Sequence, residues 1–254
     1  MRFRLFLAAA VFAAASPAVG QTQAVSENVR ASLIAETASI APGGTVTIAL
    51  RQEIREGWHT YWQNPGDSGA ATRIEWRLPP GAAAGPLQFP APEAIPYGPL
   101  VNYGFKNEAI ILADITLPAD LAPGSLARIE AEAEWLVCEE ICIPEYGSFV
   151  LELPVAAQSP LPDAASAALF ARARAAMPVE SPFAAEARIA DGEVTIRLAV
   201  PGLRAETIKA LRFFPFADRL IDHAAPQRLR YAADSVTLTT ALAKPAPAPD
   251  TPVE

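Results

Sequence analysis

Between residues 25 and 155 the chain consists of short segments whose apolar and polar residues alternate. In TRIEWRL (72–78), Ile74, Trp76 and Leu78 fall on one side of the segment and charged residues fall on the other. Because successive side chains of a strand point to opposite faces, this pattern predicts half-buried strands. Turns rich in proline and glycine separate the segments, which favours an antiparallel β-sandwich. The same pattern predicts strands at TVTIAL (45–50), EAIILADITL (108–117), LARIEAEAEWLV (126–137) and GSFVLELPV (147–155).

Two longer segments rich in proline interrupt the strands, NPGDSGA (64–70) and FPAPEAIPYGPLVNYGF (89–105). Both are predicted to be loops, because proline and glycine disfavour regular strands. Loops as long as the second one are uncommon inside compact domains and are usually functional. We therefore expect residues 89–105 to have a functional role, such as that of a lid.

The composition changes at PDAASAALFARARAAMP (162–178), which predicts a helix capped by Asp163 and ended by Pro178. We interpret it as a linker helix, and packing of this helix on the first β unit is compatible with that role. Beyond it the alternation returns, and the Asp-Gly pair at 191–192 predicts the turn of a hairpin over residues 186–200. Further strands are predicted at 209–216, 227–232 and 235–242.

The chain is thus expected to have five parts. The second β unit is shorter than the about 100 residues of a usual sandwich, so it is either small or truncated. The tail is rich in proline and is expected to be disordered. The five parts are a signal peptide (1–20), a β unit with both cysteines (21–157), a linker helix (158–179), a second β unit (180–242) and a tail (243–254).

The first twenty residues, MRFRLFLAAAVFAAASPAVG, have the order of a cleavable secretory signal peptide. Arg2 and Arg4 precede an apolar run that is shorter than the about 20 residues of a transmembrane helix. Cleavage before Gln21 removes both arginines and takes the net charge from −8 to −10. So acidic a chain is not expected to bind nucleic acid or anionic membranes. Export would expose it to oxidising conditions, in which cysteines can pair.

Cys138 and Cys142, in EWLVCEEICIPEYG (134–147), are the only cysteines of the chain. In a straight strand their Cα atoms would lie about 13 Å apart, whereas a disulfide needs about 4.4–6.8 Å. A disulfide would therefore require residues 139–141 to form a tight turn at the end of a hairpin. Closing so short a loop contributes only about 2 kcal/mol of stability, and strained or exposed disulfides are typically the labile or catalytic ones.

The acidic residues Glu139 and Glu140 disfavour a thiolate, so raised pKa values are expected for both thiols. This favours a disulfide that a partner's thiolate attacks over a cysteine that attacks unaided. An inert disulfide is a second interpretation. A copper or zinc site, with His59, His223 or a methionine joining the thiolates, is a third, although no Cys/His cluster has the usual ligand spacing.

The segment GWHTYW (57–62) contains three aromatic residues and a histidine. One interpretation is a core strand with Trp58 or Trp62 inside. The other is a strand that presents His59 and Tyr61 together on one surface. Further residues that could cover a reactive pair come from the second proline-rich loop, namely Tyr97, Asn102, Tyr103 and Phe105.

The segments GWHTYWQNPGDSGAATRIEW, PYGPLVNYGF and VCEEICIPE together resemble the N-terminal periplasmic region of the DsbD/ScsB family of thiol:disulfide interchange proteins. The resemblance extends to FFPFADRLIDHAAPQ (213–227), and the cysteine spacing is similar to that of the ScsB-like branch. It implies an all-β fold. The expected parts are an immunoglobulin-like antiparallel sandwich, a short linker helix and a second, smaller β-sandwich-like unit.

The resemblance also implies roles for individual residues. Cys138 and Cys142 become the redox-active pair, and His59 and Tyr61 match positions where the family has aromatic residues beside the cysteines. Residues 100–104 match a cap that shields the pair. Because an asparagine, Asn102, stands where a cap aromatic is expected, the shielding is expected from Tyr103 or Phe105.

The expected function is therefore that of a periplasmic thiol–disulfide exchange module, an oxidoreductase of the protein-disulfide reductase type. The resemblance implies that electrons come from a membrane-embedded thiol donor, on a separate chain or a missing segment, and pass to periplasmic thioredoxin-like disulfide proteins. Neither a cofactor nor a bound metal is expected. The alternatives are a non-enzymatic β-sandwich interaction module with an inert disulfide and a periplasmic copper-tolerance or copper-binding protein.

Overall fold

The computed structural model describes residues 22–158, 160–202, 208, 210–245 and 253. The expected signal peptide and most of the expected tail lie outside the described residues. Within the described residues the protein is predominantly β, with antiparallel sheets and a single helix. The all-β prediction is therefore confirmed.

The first unit contains two antiparallel sheets. In chain order its strands are β1 (Gln23–Val25), β2 (Val29–Ala35), β3 (Thr45–Ile54), β4 (His59–Gly66), β5 (Arg73–Arg77), β6 (Ala83–Ala84), β7 (Glu93–Tyr97), β8 (Leu100–Lys106), β9 (Glu108–Thr116), β10 (Leu126–Cys138) and β11 (Cys142–Pro154). The first sheet has the order β1-β2-β3-β9-β6. The second has the order β11-β10-β4-β8-β7, and β5 pairs with β10.

The apolar core of the first unit draws on both sheets, as in an immunoglobulin-like sandwich. Alternate residues of β10 are buried, as the alternation in the sequence predicts. Trp135 and Phe149 on the second sheet join Leu33 and Ile111 on the first in one core cluster. Each such side chain contributes about 1.5–3 kcal/mol when it is fully buried, so this core is the main source of the unit's stability.

The two proline-rich segments are more regular than the sequence predicts. Strand β4 continues to Gly66, so the first loop is shorter than expected. The prediction of a long loop over residues 89–105 is wrong, because β7 and β8 pair there as a tight hairpin. Gly98 supplies the positive φ of 58° at the turn of this hairpin.

The predicted helix is α1 (Ala167–Ala176), which begins later and is shorter than expected. Asp163 does not cap it but forms a turn before it, accepting a hydrogen bond from the Ala165 amide. Phe170 and Ala173 are buried against Ile110 and Leu112 of the first unit. The helix therefore packs on the first unit rather than bridging through solvent.

The second unit contains the sheet β12-β13-β15-β14, whose strands are β12 (Ala185–Ala190), β13 (Glu193–Ala199), β14 (Arg228–Ala232) and β15 (Ser235–Ala241). The predicted hairpin turn is confirmed, with positive φ at both Asp191 and Gly192. The predicted strand at 209–216 is wrong, since its described residues are not in any sheet. Its aromatic residues pack instead against the first unit, where Phe214 contacts Trp62 and Tyr103.

Candidate active site

The disulfide between Cys138 and Cys142 closes the end of the β10–β11 hairpin. The two cysteines are register partners, and their Cα atoms are 4.2 Å apart. Residues 139–141 form the intervening turn, in which the Glu139 amide donates to the Ile141 carbonyl at 3.3 Å. The tight turn that the spacing requires of a disulfide is therefore present.

The two sulfur-bearing residues differ in their access to solvent. Cys138 is completely buried, whereas Cys142 is exposed at the start of β11. Thiol–disulfide exchange requires a thiolate to reach one sulfur while the other sulfur leaves. Of the two sulfurs, that of the exposed Cys142 is therefore the one that a thiolate from solvent can reach.

Tyr61 contacts both sulfur atoms from strand β4. Its hydroxyl donates a hydrogen bond to Cys138 Sγ at 2.8 Å and lies 3.4 Å from Cys142 Sγ. Burial raises the pKa of Tyr61 to about 12, with the neighbouring Tyr97 acting in the same direction. The phenol therefore keeps its proton near neutral pH and can donate to the buried sulfur.

His59 lies beside Cys138, its register partner, and its ring packs edge-on against Tyr61 with centroids 5.1 Å apart. Burial, followed by the charge of Lys106, lowers the pKa of His59 to about 4. The ring is therefore neutral near pH 7. As a neutral ring, it can accept a hydrogen bond through Nε2 but does not supply a positive charge to a thiolate.

Asn102 connects these side chains. Its amide nitrogen lies 3.3 Å from both His59 Nε2 and the Tyr61 hydroxyl oxygen. Its carbonyl oxygen accepts a hydrogen bond from the Ser68 hydroxyl at 2.8 Å. Because the nitrogen of an amide only donates, Asn102 occupies a lone pair of the Tyr61 oxygen and leaves the phenol proton directed at sulfur.

The β7–β8 hairpin reaches the cysteine turn through Tyr97. The Tyr97 hydroxyl donates to the Glu140 carbonyl at 2.6 Å, and its ring lies 6.3 Å from the His59 ring, centroid to centroid. Gly69 packs against the Tyr61 ring from another side, because a Cβ atom built on Gly69 would lie 2.2 Å from that ring. Little space is therefore left around the Tyr61 ring.

The expectation that Tyr103 or Phe105 shields the disulfide is corrected by the structure. Alternate residues of β8 point to opposite faces, and Asn102 faces the disulfide. Tyr103 and Phe105 therefore point the other way, where both belong to the apolar core. Of the residues proposed for the cap, only Tyr97 and Asn102 have contacts with the disulfide turn or the side chains beside it.

Both interpretations of the GWHTYW segment hold at once. Trp58 and Trp62 are buried in the core, while His59 and Tyr61 lie together at the disulfide. His223 lies elsewhere, bonded to the Tyr103 hydroxyl at 3.0 Å, so it does not join the cysteines. Among the residues that the structure describes, no three His, Cys, Asp or Glu side chains form a group suited to a metal ion.

Sequence reasoning missed the buried Glu145, which lies three residues after Cys142. One carboxylate oxygen accepts two hydrogen bonds of 3.0 Å from Asn28, and the other accepts bonds from Trp135 Nε1 and the Ser26 hydroxyl. These contacts attach the N-terminal segment beneath the disulfide hairpin. The signal was present in the sequence, because Glu145 is in phase with the buried Gly147 and Phe149.

A buried phenol on one sulfur, an exposed second sulfur and an immunoglobulin-like scaffold define a thiol–disulfide exchange module. The comparison with protein families agrees. Residues 30–154 match the family described as "Thiol:disulfide interchange protein DsbD, N-terminal". Residues 30–154 therefore form a domain of this family, the N-terminal domain of DsbD-type thiol:disulfide interchange proteins.

The fold has a counterpart among solved structures. It is similar to the N-terminal periplasmic domain of ScsB from Proteus mirabilis, with a TM-score of 0.64 and 18% sequence identity, over 87% of this chain and 84% of that chain. The N-terminal domain of Neisseria meningitidis DsbD in the reduced form matches over 51% of this chain and 90% of that chain, with a TM-score of 0.29 and 14% identity. No curated protein matches the chain significantly.

Proposed function

We propose that the chain is a periplasmic electron relay whose Cys138–Cys142 disulfide is reduced by a thiol donor and then reduces disulfides of thioredoxin-like partners. The observation that supports this most strongly is the difference between the two sulfurs. Cys142 is exposed, and Cys138 is buried with the Tyr61 hydroxyl 2.8 Å away. A purely structural disulfide has no need of such a donor.

In the loading half-reaction, a thiolate of a donor dithiol attacks Cys142 Sγ and forms a mixed disulfide. The Cys138–Cys142 bond breaks, and Cys138 leaves as a thiolate that accepts the hydrogen bond from Tyr61. The second donor thiolate then attacks the donor sulfur of the mixed disulfide and releases Cys142. Two electrons pass to the chain, the donor becomes a disulfide, and the thiolates take protons from water.

In the unloading half-reaction, the Cys142 thiolate attacks the disulfide of a partner and forms a second mixed disulfide. Cys138 then attacks Cys142 Sγ, so that the disulfide of the chain is restored and the partner leaves as a dithiol. Hydrogen bonds to ionised groups are worth about 1.5–3 kcal/mol. In the loading half-reaction the Tyr61 hydroxyl therefore lowers the barrier, because negative charge develops on Cys138 as it leaves.

The donor that we propose is a membrane-embedded thiol protein, as the family likeness suggests. The single helix in the part of the chain that the structure describes is not long and apolar enough to cross a membrane. We further propose that residues 1–20 direct export and that the mature chain begins at Gln21. N-terminal sequencing of the exported protein checks this directly. A mature protein that retains Arg2 and Arg4 would contradict it.

The reduction potential of the purified protein tests the relay. It is measured by equilibration with glutathione or dithiothreitol buffers and separation of the oxidised and reduced forms. A relay requires a potential above about −300 mV, whereas a lower value would identify a structural disulfide. The copper alternative is tested by titrating the reduced protein with Cu(I) in the presence of a chelator. If the protein competes with the chelator for Cu(I), the copper alternative is favoured.

A further inference from the structure

Strand β4 leads from the disulfide to the second unit within a few residues. Tyr61 contacts the sulfurs, and the next residue, Trp62, points to the opposite face. There its ring lies 6.4 Å from Phe214 and 5.4 Å from Phe216, centroid to centroid. The side chains that meet the disulfide and those that meet the second unit are therefore neighbours on one strand.

Asn64 is the polar connection at this interface. Its side chain is completely buried, and its amide nitrogen donates to the Pro215 carbonyl at 2.8 Å and to the Ala217 carbonyl at 3.3 Å. Its side-chain oxygen accepts a hydrogen bond from the Gly66 amide at 2.9 Å. One side chain thus attaches the irregular segment of the second unit to the turn that follows β4.

That turn shapes the disulfide site. The register of β4 and β8 shifts between Tyr61 and Gly66, and Gly66 has a φ of 83°. Two residues later Ser68 donates to Asn102, which in turn donates to the Tyr61 hydroxyl oxygen. A continuous series of hydrogen bonds and adjacent backbone therefore runs from the second unit to the phenol on Cys138.

A second contact supports the same arrangement from strand β8. Tyr103, the neighbour of Asn102, is completely buried, and its hydroxyl lies 3.0 Å from His223 Nδ1. The Phe214 ring packs edge-on against Tyr103 with centroids 4.9 Å apart. Asn102 is thus held on a strand whose other face is fixed by the second unit.

We propose that the second unit is a positioning element for the disulfide, and that Asn64 transmits its effect to the Tyr61 hydroxyl. This inference rests on the proposed function, because it requires Tyr61 to assist the departure of Cys138. Without Asn64, the buried Pro215 carbonyl, the half-buried Ala217 carbonyl and the Gly66 amide lose their partner, and the turn that carries Ser68 is released. The phenol then loses the fixed Asn102 amide that directs it at sulfur.

The test is a double-mutant cycle on the full chain, with the rate of disulfide reduction by dithiothreitol as the readout. We expect Asn64→Ala to slow reduction by about threefold or more in the wild-type background, a coupling typical of residues in one network. In a Tyr61→Phe background the same substitution should change the rate by less than about twofold, since no phenol remains to be positioned. An equal slowing in both backgrounds would overturn the proposal.

A matched control separates positioning from general loosening of the second unit. Val236 is buried in the second unit near the end of β15 away from the interface. Val236→Ala should lower the unfolding temperature but leave the reduction rate within about twofold of wild type. A slowing equal to that of Asn64→Ala would show that stability alone sets the rate.

Two further outcomes are informative. If Asn64→Ala does not fold, Tyr103→Phe, which removes one hydroxyl, replaces it in the cycle, and a wild-type rate would then overturn the proposal. If Tyr61→Phe by itself leaves the rate unchanged, the proposed role of Tyr61 fails. That failure is distinct from a cycle in which Tyr61 matters and Asn64 does not.

Discussion

The two faces of strands β4 and β8 bury different kinds of side chain. The front face, turned to the disulfide, consists of His59, Tyr61 and Asn102. The back face, turned to the core and the second unit, consists of Trp62, Tyr103 and Phe105. The front face is a connected polar network in a closed space, while the back face mainly supplies apolar area. Because the two sets alternate along the same strands, single substitutions can separate chemistry from stability.

The largest effect is expected on the back face. Trp62 is 2% exposed and packs against two aromatic rings of the second unit. Trp62→Ala should reduce the free energy of unfolding by about 3–5 kcal/mol, because it removes buried area and leaves a cavity. Urea unfolding followed by circular dichroism measures this. A loss below about 1 kcal/mol would contradict the assignment of Trp62 to the core.

Tyr61→Phe is the corresponding change on the front face. It keeps the ring and removes only the hydroxyl that donates to Cys138 Sγ. Reduction by dithiothreitol should slow by about 10- to 100-fold, because a hydrogen bond to a charged group is worth about 1.5–3 kcal/mol and its loss raises the barrier by that amount. Because the pKa of Tyr61 is raised to about 12, the difference should persist between about pH 6 and 9. A rate difference that vanishes within this range would contradict a role as a protonated donor.

His59 makes the front face sensitive to acid. Its pKa falls from 6.5 to about 4 on folding, so the unfolded chain binds more protons between these values. Stability should therefore be complete above pH 6.5 and decrease as the pH falls toward 4. His223, whose pKa is also lowered by burial, acts in the same direction.

His59→Phe separates the two histidines. Between pH 7 and 4.5 the wild type should lose about 2 kcal/mol more stability than this variant, as measured by urea unfolding at both pH values. The remaining loss in the variant is assigned to His223 and other groups. Equal losses of stability in the two proteins would show that folding does not lower the pKa of His59.

The smallest effect is expected at the edge of the site. Tyr97→Phe removes the hydroxyl that donates to the Glu140 carbonyl and should loosen the contact between the β7–β8 hairpin and the cysteine turn. The net value of such a bond is about 1 kcal/mol, so reduction by dithiothreitol should accelerate by about fivefold or less. A slower reaction would mean that Tyr97 assists exchange rather than covers the turn.

The parts of the fold that follow from local chemistry could be predicted from the sequence. Alternation located β5, β9 and β10, and the requirement for a positive φ located the turn at Asp191 and Gly192. The spacing of Cys138 and Cys142 required the turn that would bring them together. The period of a strand also put His59 and Tyr61 on one face, although it could not say what that face meets.

The remaining features depend on contacts between distant segments. Tyr103 and Phe105 could be assigned to the wrong face because the direction of β8 is set by its pairing with β4, which no local pattern specifies. Residues 210–216 resemble a strand because most of them are apolar. The rings of Phe214 and Phe216 instead pack against Trp62 across the interface between the two units. Asn64 has no local signal, since its role requires the carbonyls of Pro215 and Ala217.

The central claim is that Cys142 is the sulfur that partners reach and Cys138 is the one that leaves. This claim is tested by comparing the variants Cys138→Ala and Cys142→Ala. Each variant is incubated with oxidised glutathione, and mass spectrometry measures the rate at which the mixed disulfide forms. Cys138→Ala keeps the exposed thiol and should react at least about tenfold faster than Cys142→Ala, whose remaining thiol is buried. Equal rates, or faster reaction of Cys142→Ala, would contradict the account.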